Sequence, residues 1–205
     1  MHTIVNHPLV AHKLALLRDK NTSFHIFREV TSEITTLLAY EALKNIQTVT
    51  TSVTTPLGNA SVRCIERDIL LVPILRAGLG MMDGLTKMLP MARVGILGYY
   101  RDHDSKQAIK YYSNIPKLEN PHVIILDPML ATGGSILSAI EFLRYDGYRD
   151  LSVISIIAAP EGIYAVEHQY PEVSIVTAAV DERLDENKYI FPGLGDAGDR
   201  MFGTL

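Results

Sequence analysis

Tryptophan is absent and cysteine occurs once, at Cys64. A single cysteine excludes an internal disulfide framework and any multi-cysteine zinc site. No apolar run approaches the ~18 residues of a membrane span. No positive segment followed by an apolar stretch opens the chain, so no secretory signal is expected. The expectation is a cytoplasmic protein without membrane association. Basic surplus is also missing: 19 Lys and Arg stand against 23 Asp and Glu, a formal net charge of −4. That balance argues against a surface built mainly to hold nucleic acid. Internal repeats, low-complexity tracts and Ser/Gly linkers are lacking too. What is present is a chain of 205 residues, 47% hydrophobic and 20% charged. A chain of that length forms one compact domain burying about 70% of its unfolded surface, so it needs no disulfide or metal staple.

The first part, to residue 47, reads as helical. Thr22-Ser23 can cap a helix, and Phe27, Ile34, Leu37, Leu38 and Leu43 recur at roughly helical spacing. From Thr48 the texture becomes β-branched and polar. Ala60, Val62 and Cys64 then alternate with Ser61, Arg63 and Ile65, with Pro56-Leu57-Gly58-Asn59 between the runs. This predicts a β-hairpin arm over 48–66 with one solvated face.

From 68 to 181 strands and helices alternate. Ile69 to Leu75 is a continuous apolar run, followed by Leu79, Met82, Leu85 and Leu89 at helical spacing. Further strands are expected at Arg93 to Tyr100, Val123 to Leu126, Val153 to Ala159 and Val173 to Val180. Helices are expected around Ile136, Ile140 and Leu143, ended by a left-handed Gly147, and near Glu161 to Gln169. Continuous apolar strands alternating with helices imply an α/β fold with a mainly parallel sheet covered on both faces. Ligands in such sheets sit beyond the carboxyl ends of the strands. Three exits therefore matter: after Leu75, after Leu126 and after Val180.

The second exit reads Asp127-Pro128-Met129-Leu130-Ala131-Thr132-Gly133-Gly134-Ser135. A buried strand ends in a carboxylate, a turn with two glycines follows, and a helix begins. Small residues let the backbone approach an anion, and the helix N-terminus adds partial positive charge. The hydroxyls of Thr132 and Ser135 add donors. The loop suits a phosphate monoester dianion. It has neither the lysine of a nucleoside triphosphate loop nor the G-x-G-x-x-G pattern. The carboxylate of Asp127 suits hydroxyls beside the phosphate, as in a ribose 5-phosphate. The bland alternative is a helix cap and an ordinary turn.

At the first exit Arg76 follows the strand directly among small residues, where a guanidinium fork can bind a polyanion. Taken alone, a surface salt bridge is the better reading of that arginine. Tyr99 to Lys106 leaves another strand, and Ala108 to Ile115 returns. A hairpin carrying Arg101 and Lys106 can cover a site, although an ordinary solvated loop explains the residues as well. Past the third exit, Pro192-Gly193-Leu194-Gly195-Asp196-Ala197-Gly198 is too glycine-rich for a regular element. Its peptide groups offer both donors and acceptors to a planar heterocyclic amide. The interleaved Ile190, Phe191, Leu194, Met201 and Phe202 indicate that the segment packs.

Other features point to no chemistry. His2, His7 and His12 are spaced by five residues, not by the four of a helical metal pair. Cys64 shares the alternation of Ala60 and Val62 and reads as a buried small hydrophobe. Asp181 to Glu186 reads as a solvated connection.

Together these stretches resemble the uracil phosphoribosyltransferase family, of the type I phosphoribosyltransferase fold. The resemblance covers nearly the whole chain. It rests on Asn6-His7-Pro8-Leu9-Val10, His12-Lys13-Leu14, Leu17-Arg18-Asp19-Lys20, Pro73 to Met81, Asp127 to Ser135, Ala158-Ala159-Pro160-Glu161-Gly162 and Tyr189 to Arg200. Most type I relatives carry two adjacent acids where this chain has Asp127-Pro128, and proline in the second place is the mark of the uracil enzymes. The resemblance implies N-terminal helices, the hairpin arm, the sheet core and a C-terminal base-binding hood over 182–205. It implies that Asp127, Pro128, Met129, Leu130, Ala131, Thr132, Gly133, Gly134 and Ser135 hold the ribose 5-phosphate of 5-phosphoribosyl 1-diphosphate. Arg76 and Arg101 would meet the diphosphate. Ile190, Gly195, Asp196 and Ala197 would bind uracil, with Asp196 also serving the phosphoribosyl diphosphate side. The implied products are UMP and diphosphate. Mg²⁺ would arrive on the diphosphate, not in a protein metal site. GTP activates some relatives and is carried as a candidate activator, and the implied assembly is a homodimer or homotetramer. The rivals are the same chemistry with another base, an RNA-binding regulator on the same fold, and a non-catalytic phosphate-binding module.

Overall fold

The computed structural model describes residues 1–101 and 108–204, without the side chains of Arg101 and Ala108. Lys106, the other basic residue expected in a covering hairpin, lies outside the described residues.

In chain order the elements are β1 (His2–Ile4), α1 (Pro8–Arg18), α2 (Phe24–Ala42), β2 (Thr48–Thr55), β3 (Gly58–Ile65) and β4 (Ile69–Leu75). A 3-10 turn (Ala77–Met81) leads into α3 (Met82–Met88), β5 (Arg93–Val94), β6 (Ile96–Arg101), β7 (Ala108–Asn114), β8 (His122–Leu126) and β9 (Met129–Leu130). Then come α4 (Gly134–Tyr145), β10 (Leu151–Ala158), α5 (Pro160–Gln169), β11 (Ser174–Val180), β12 (Arg183–Leu184), β13 (Ile190–Phe191) and α6 (Ala197–Phe202).

The main sheet runs β1-β11-β10-β8-β4-β6-β7, and every pairing along it is parallel except β6 with β7. The apolar strands are buried on both faces, and the period of two divides them except in β10, where the adjacent Ile156 and Ile157 face the same core. Ile69 and Leu71, Ile124 and Leu126, Ile154 and Ile156, and Val176 and Ala178 face a core shared with α1, α2 and α6. Leu70 and Val72, Val123 and Ile125, Val153 and Ile175 face the core built with α4 and α5. A strand that is apolar throughout is therefore stable only with helices on both sides. On α2, Phe27, Val30, Ile34 and Leu38 are buried at helical spacing.

Three expectations change. The opening residues are not wholly helical: His2–Ile4 extends the sheet by pairing with Ile175–Thr177. The hairpin forms in the expected register, Thr48 opposite Ile65 through Thr55 opposite Gly58. It pairs with no other described strand, however, and nearly all of it is exposed on both faces. Among the described residues no element covers either side, so Cys64 is exposed and not a buried hydrophobe. Alternation records which residues share a face, not whether anything packs on it.

Candidate active site

The loop after β8 is held by the neighbouring strand. The Pro128 carbonyl accepts from the amides of Ile156 (3.0 Å) and Ile157 (3.1 Å), and the Leu130 carbonyl accepts from the Ala159 amide at 2.9 Å. Met129 and Leu130 themselves pair with Ile157 and Ala158 of β10. Past Leu130 the chain leaves the sheet and turns into α4 through Gly133, whose φ of 83° is left-handed and costs glycine nothing. Among the described residues, the amides of Thr132, Gly133 and Ser135 find no main-chain acceptor. The Thr132 hydroxyl reaches only the Gly134 amide, at 3.4 Å. Thr132 is exposed. The result is an open ring of donors at the start of α4, suited to an anion.

Asp127 stands at the root of this ring, half-buried. Burial disfavours its charged form and pushes the carboxyl up to about 7, against the opposing pull of the Met129 amide at 3.3 Å. An acid poised there can take a proton or accept from a hydroxyl near neutral pH.

The turn after β4 is seated directly beside it. A Cβ at Gly78 would stand 2.4 Å from the Leu126 carbonyl oxygen. Only glycine permits that approach, which packs the Arg76 turn against the residue preceding Asp127. The Leu75–Arg76 peptide bond is cis. Arg76 is exposed, and its Nη2 donates to Asp199 Oδ1 of α6 at 3.1 Å. The bland reading of Arg76, a surface salt bridge, is thus true as well, and its partner lies in the C-terminal segment.

That segment completes the cluster. Asp196 accepts from the Asp199 amide at 2.9 Å through Oδ1 and caps α6. An added Cβ at Gly198 would sit 3.2 Å from Asp196 Oδ1 and 3.7 Å from Arg76 Nη2. Gly195 is exposed, whereas Ile190 and Ala197 are buried. Arg101 ends β6, one strand beyond β4 in the sheet. Among the described residues no group of three His, Cys, Asp or Glu side chains is arranged to hold a metal. A cleft of about 970 Å³ lined by Cys64, Asp68, Met88 and Asn120 lies at the opposite, N-terminal ends of the strands and holds none of these groups.

A family model described as uracil phosphoribosyltransferase matches residues 4–204. The chain belongs to the uracil phosphoribosyltransferase family. Uracil phosphoribosyltransferase of Dictyoglomus thermophilum is 50% identical over 206 residues, covering 100% of both chains. A solved structure of an Aquifex aeolicus protein superimposes with a TM-score of 0.95 at 40% identity, over 98% of each chain. Adenine phosphoribosyl transferase of Trypanosoma brucei, solved with AMP, pyrophosphate and ribose-5-phosphate, shares the fold at a TM-score of 0.59. It is 12% identical and is matched over 91% of this chain and 86% of its own. The α/β architecture expected of phosphoribosyltransferases is thus the architecture found.

Sequence reading missed two ion-paired acids of this region. Asp181 is buried and bonded to Arg18, not part of a solvated connection. Asp199 pairs with Arg76. The signal for Asp181 was present: like Asp127, it is a carboxylate placed directly after an apolar strand. Asp199 carried none, since the pairing joins positions 123 residues apart. Among the described residues no helix is long and apolar enough to cross a membrane.

Proposed function

We propose that the protein transfers the phosphoribosyl group of 5-phosphoribosyl 1-diphosphate to N1 of uracil, giving UMP and diphosphate. The observation that carries this reading is the convergence of three strand exits. Arg76, the Asp127–Ser135 loop with its free amides, and the peptide groups around Gly195 stand at the carboxyl ends of β4, β8 and beyond β11.

The amides of Thr132, Gly133 and Ser135 take the 5-phosphate, and Asp127 accepts from the ribose hydroxyls. Both contacts orient C1′ toward the base. Peptide donors and acceptors at Ile190, Gly195, Asp196 and Ala197 meet the complementary edge of uracil. As the bond from C1′ to diphosphate breaks, the ring gains oxocarbenium character and the leaving group gains charge. Arg76 and Arg101 neutralise the departing anion, while the Asp127 carboxylate faces the positive ring. Oxygen-rich phosphates and water suit Mg²⁺ better than the carboxylates of this site do alone. When bound on the diphosphate the ion supplies further charge neutralisation. The hairpin over 48–65, bare on both faces, favours a dimer or larger assembly that covers it.

The test is release of diphosphate from 5-phosphoribosyl 1-diphosphate, measured with uracil, orotate, adenine and hypoxanthine in turn and with and without Mg²⁺. Release with uracil alone is expected. Equal release with another base contradicts the assignment, and binding without release makes the protein a phosphate-binding module.

A further inference from the structure

Asp181 is the first residue after β11, and Arg18 is the last of α1. Their side chains form a two-pronged pair: Arg18 Nη2 donates to Asp181 Oδ1 at 2.5 Å and Nη1 to Oδ2 at 2.8 Å. The Asp181 side chain is 5% exposed. Each partner also takes hold of one residue of the C-terminal segment. The Gly193 carbonyl accepts from Arg18 Nη1 at 2.8 Å, and the Gly193 amide donates to Asp181 Oδ2 at 2.9 Å. Both main-chain polar groups of Gly193 are therefore fixed by one ion pair. Gly193 itself admits no replacement: its φ is +63°, and an added Cβ would stand 2.1 Å from the Ile190 carbonyl oxygen.

The anchored residue is two positions before Gly195. Between them Leu194 is buried, and its carbonyl accepts from Arg200 Nη1 at 2.7 Å. The other end of the pair is equally fixed. The Asp181 amide donates to the Ala158 carbonyl of β10 at 2.8 Å, so the carboxylate is registered to the sheet that carries the phosphate loop. A buried ion pair is a poor source of net stability, because desolvation consumes most of its attraction. Its geometry, by contrast, is sharply directional, since a guanidinium fork meets a carboxylate in one plane.

We propose that the Arg18–Asp181 pair is the positioning element of the base site: it sets the path of residues 193–197 relative to the phosphate loop, and so sets affinity for uracil without touching it. This rests on the assignment of that segment to the base under the proposed function. Phosphate-loop contacts do not run through Gly193, so the pair reaches 5-phosphoribosyl 1-diphosphate only through Asp196 and affects its binding far less than that of uracil.

The experiment compares Asp181→Asn, Arg18→Lys and Gly195→Ala in the full chain, measuring kcat and both KM values together with the unfolding midpoint. Asn keeps the shape but loses the charge, and Lys keeps the charge but loses the fork. Each is expected to raise the KM for uracil by about 10- to 100-fold, the usual consequence of losing a charged hydrogen bond. The KM for 5-phosphoribosyl 1-diphosphate and kcat at saturating uracil should stay within about threefold. Gly195→Ala alters the base segment itself and reports on its assignment. If Gly195→Ala raises the KM for uracil while the two pair variants change only the midpoint, or move both KM values equally, the positioning role is overturned. If all three leave the KM for uracil unchanged, the base assignment itself has failed. Should Asp181→Asn not fold, the milder Arg18→Lys decides by the same criterion.

Discussion

Arg76 Nη2 lies 3.1 Å from Asp199 Oδ1, joining the turn after β4 to the helix that follows the glycine-rich C-terminal segment. Hydrogen bonds from Thr204 and then from Arg76 hold the Asp199 carboxyl below the usual carboxylate range. Arg76 is thus engaged by a carboxylate where the proposed reaction needs it on a diphosphate. The two anions compete for one guanidinium. Diphosphate carries more charge, but Asp199 is tethered and always at hand.

Asp199→Asn should therefore lower the KM for 5-phosphoribosyl 1-diphosphate. Exposed ion pairs are weak, so the gain should be no more than about fivefold and should shrink as salt is added. Steady-state kinetics at low and high ionic strength check this. An increase in that KM would mean that Asp199 presents Arg76 to the substrate and does not compete with it.

Arg76→Ala should fold normally and lose about 10²- to 10³-fold in kcat, in line with removal of a group that meets developing negative charge. Circular dichroism establishes the fold, and single-turnover formation of UMP measures the loss. Unchanged turnover would remove Arg76 from its role.

Asp127 makes stability depend on pH in an unusual sense. Its carboxyl titrates near 7 in the fold, well above an ordinary aspartate. The native state then holds the proton more tightly than the unfolded chain. Stability is favoured while the group stays protonated and falls as pH rises from about 4 to about 7, then levels. Asp127→Asn should remove this slope, leaving the variant with a higher unfolding midpoint than the parent at pH 8. The same variant should lose most synthesis of UMP. In the parent, kcat/KM for 5-phosphoribosyl 1-diphosphate should rise as pH passes through 7, as the carboxylate forms. A flat profile in both measurements would show that Asp127 is not the titrating group.

Gly78→Ala tests the seam between two of the exits. The added carbon would meet the Leu126 carbonyl oxygen at 2.4 Å. Overpacking of that kind costs about 1–3 kcal/mol. It should lower the unfolding midpoint and also raise the KM for 5-phosphoribosyl 1-diphosphate, because Arg76 and Asp127 move apart. A variant destabilised without any change in that KM would separate the seam from the site.

The legible parts of this molecule are those dictated by neighbours along the chain. Continuous apolar runs such as Ile69 to Leu75 specify strands buried on both faces, and the Asp127 to Ser135 stretch specifies a short strand, a glycine turn and a helix start. Contacts between distant segments leave weaker marks. β1 is only three residues long, and its strand character comes from the edge of β11 that it joins. Cys64 shared the alternation of its neighbours, yet among the described residues nothing covers the hairpin. Asp181 looked like one of several acids in a polar run, but Arg18, 163 residues earlier, draws it inside. Polar residues taken for solvated connections are thus where pairings across the fold have most to add.

The central claim is that the amides of Thr132, Gly133 and Ser135 grip the 5-phosphate of the activated sugar. Titration of ¹⁵N-labelled protein with ribose 5-phosphate, followed by amide NMR, tests it most directly. The account predicts large, saturable downfield proton shifts at these three amides, with the hairpin over 48–65 unmoved. Saturable binding that shifts amides elsewhere and leaves these three in place would contradict it.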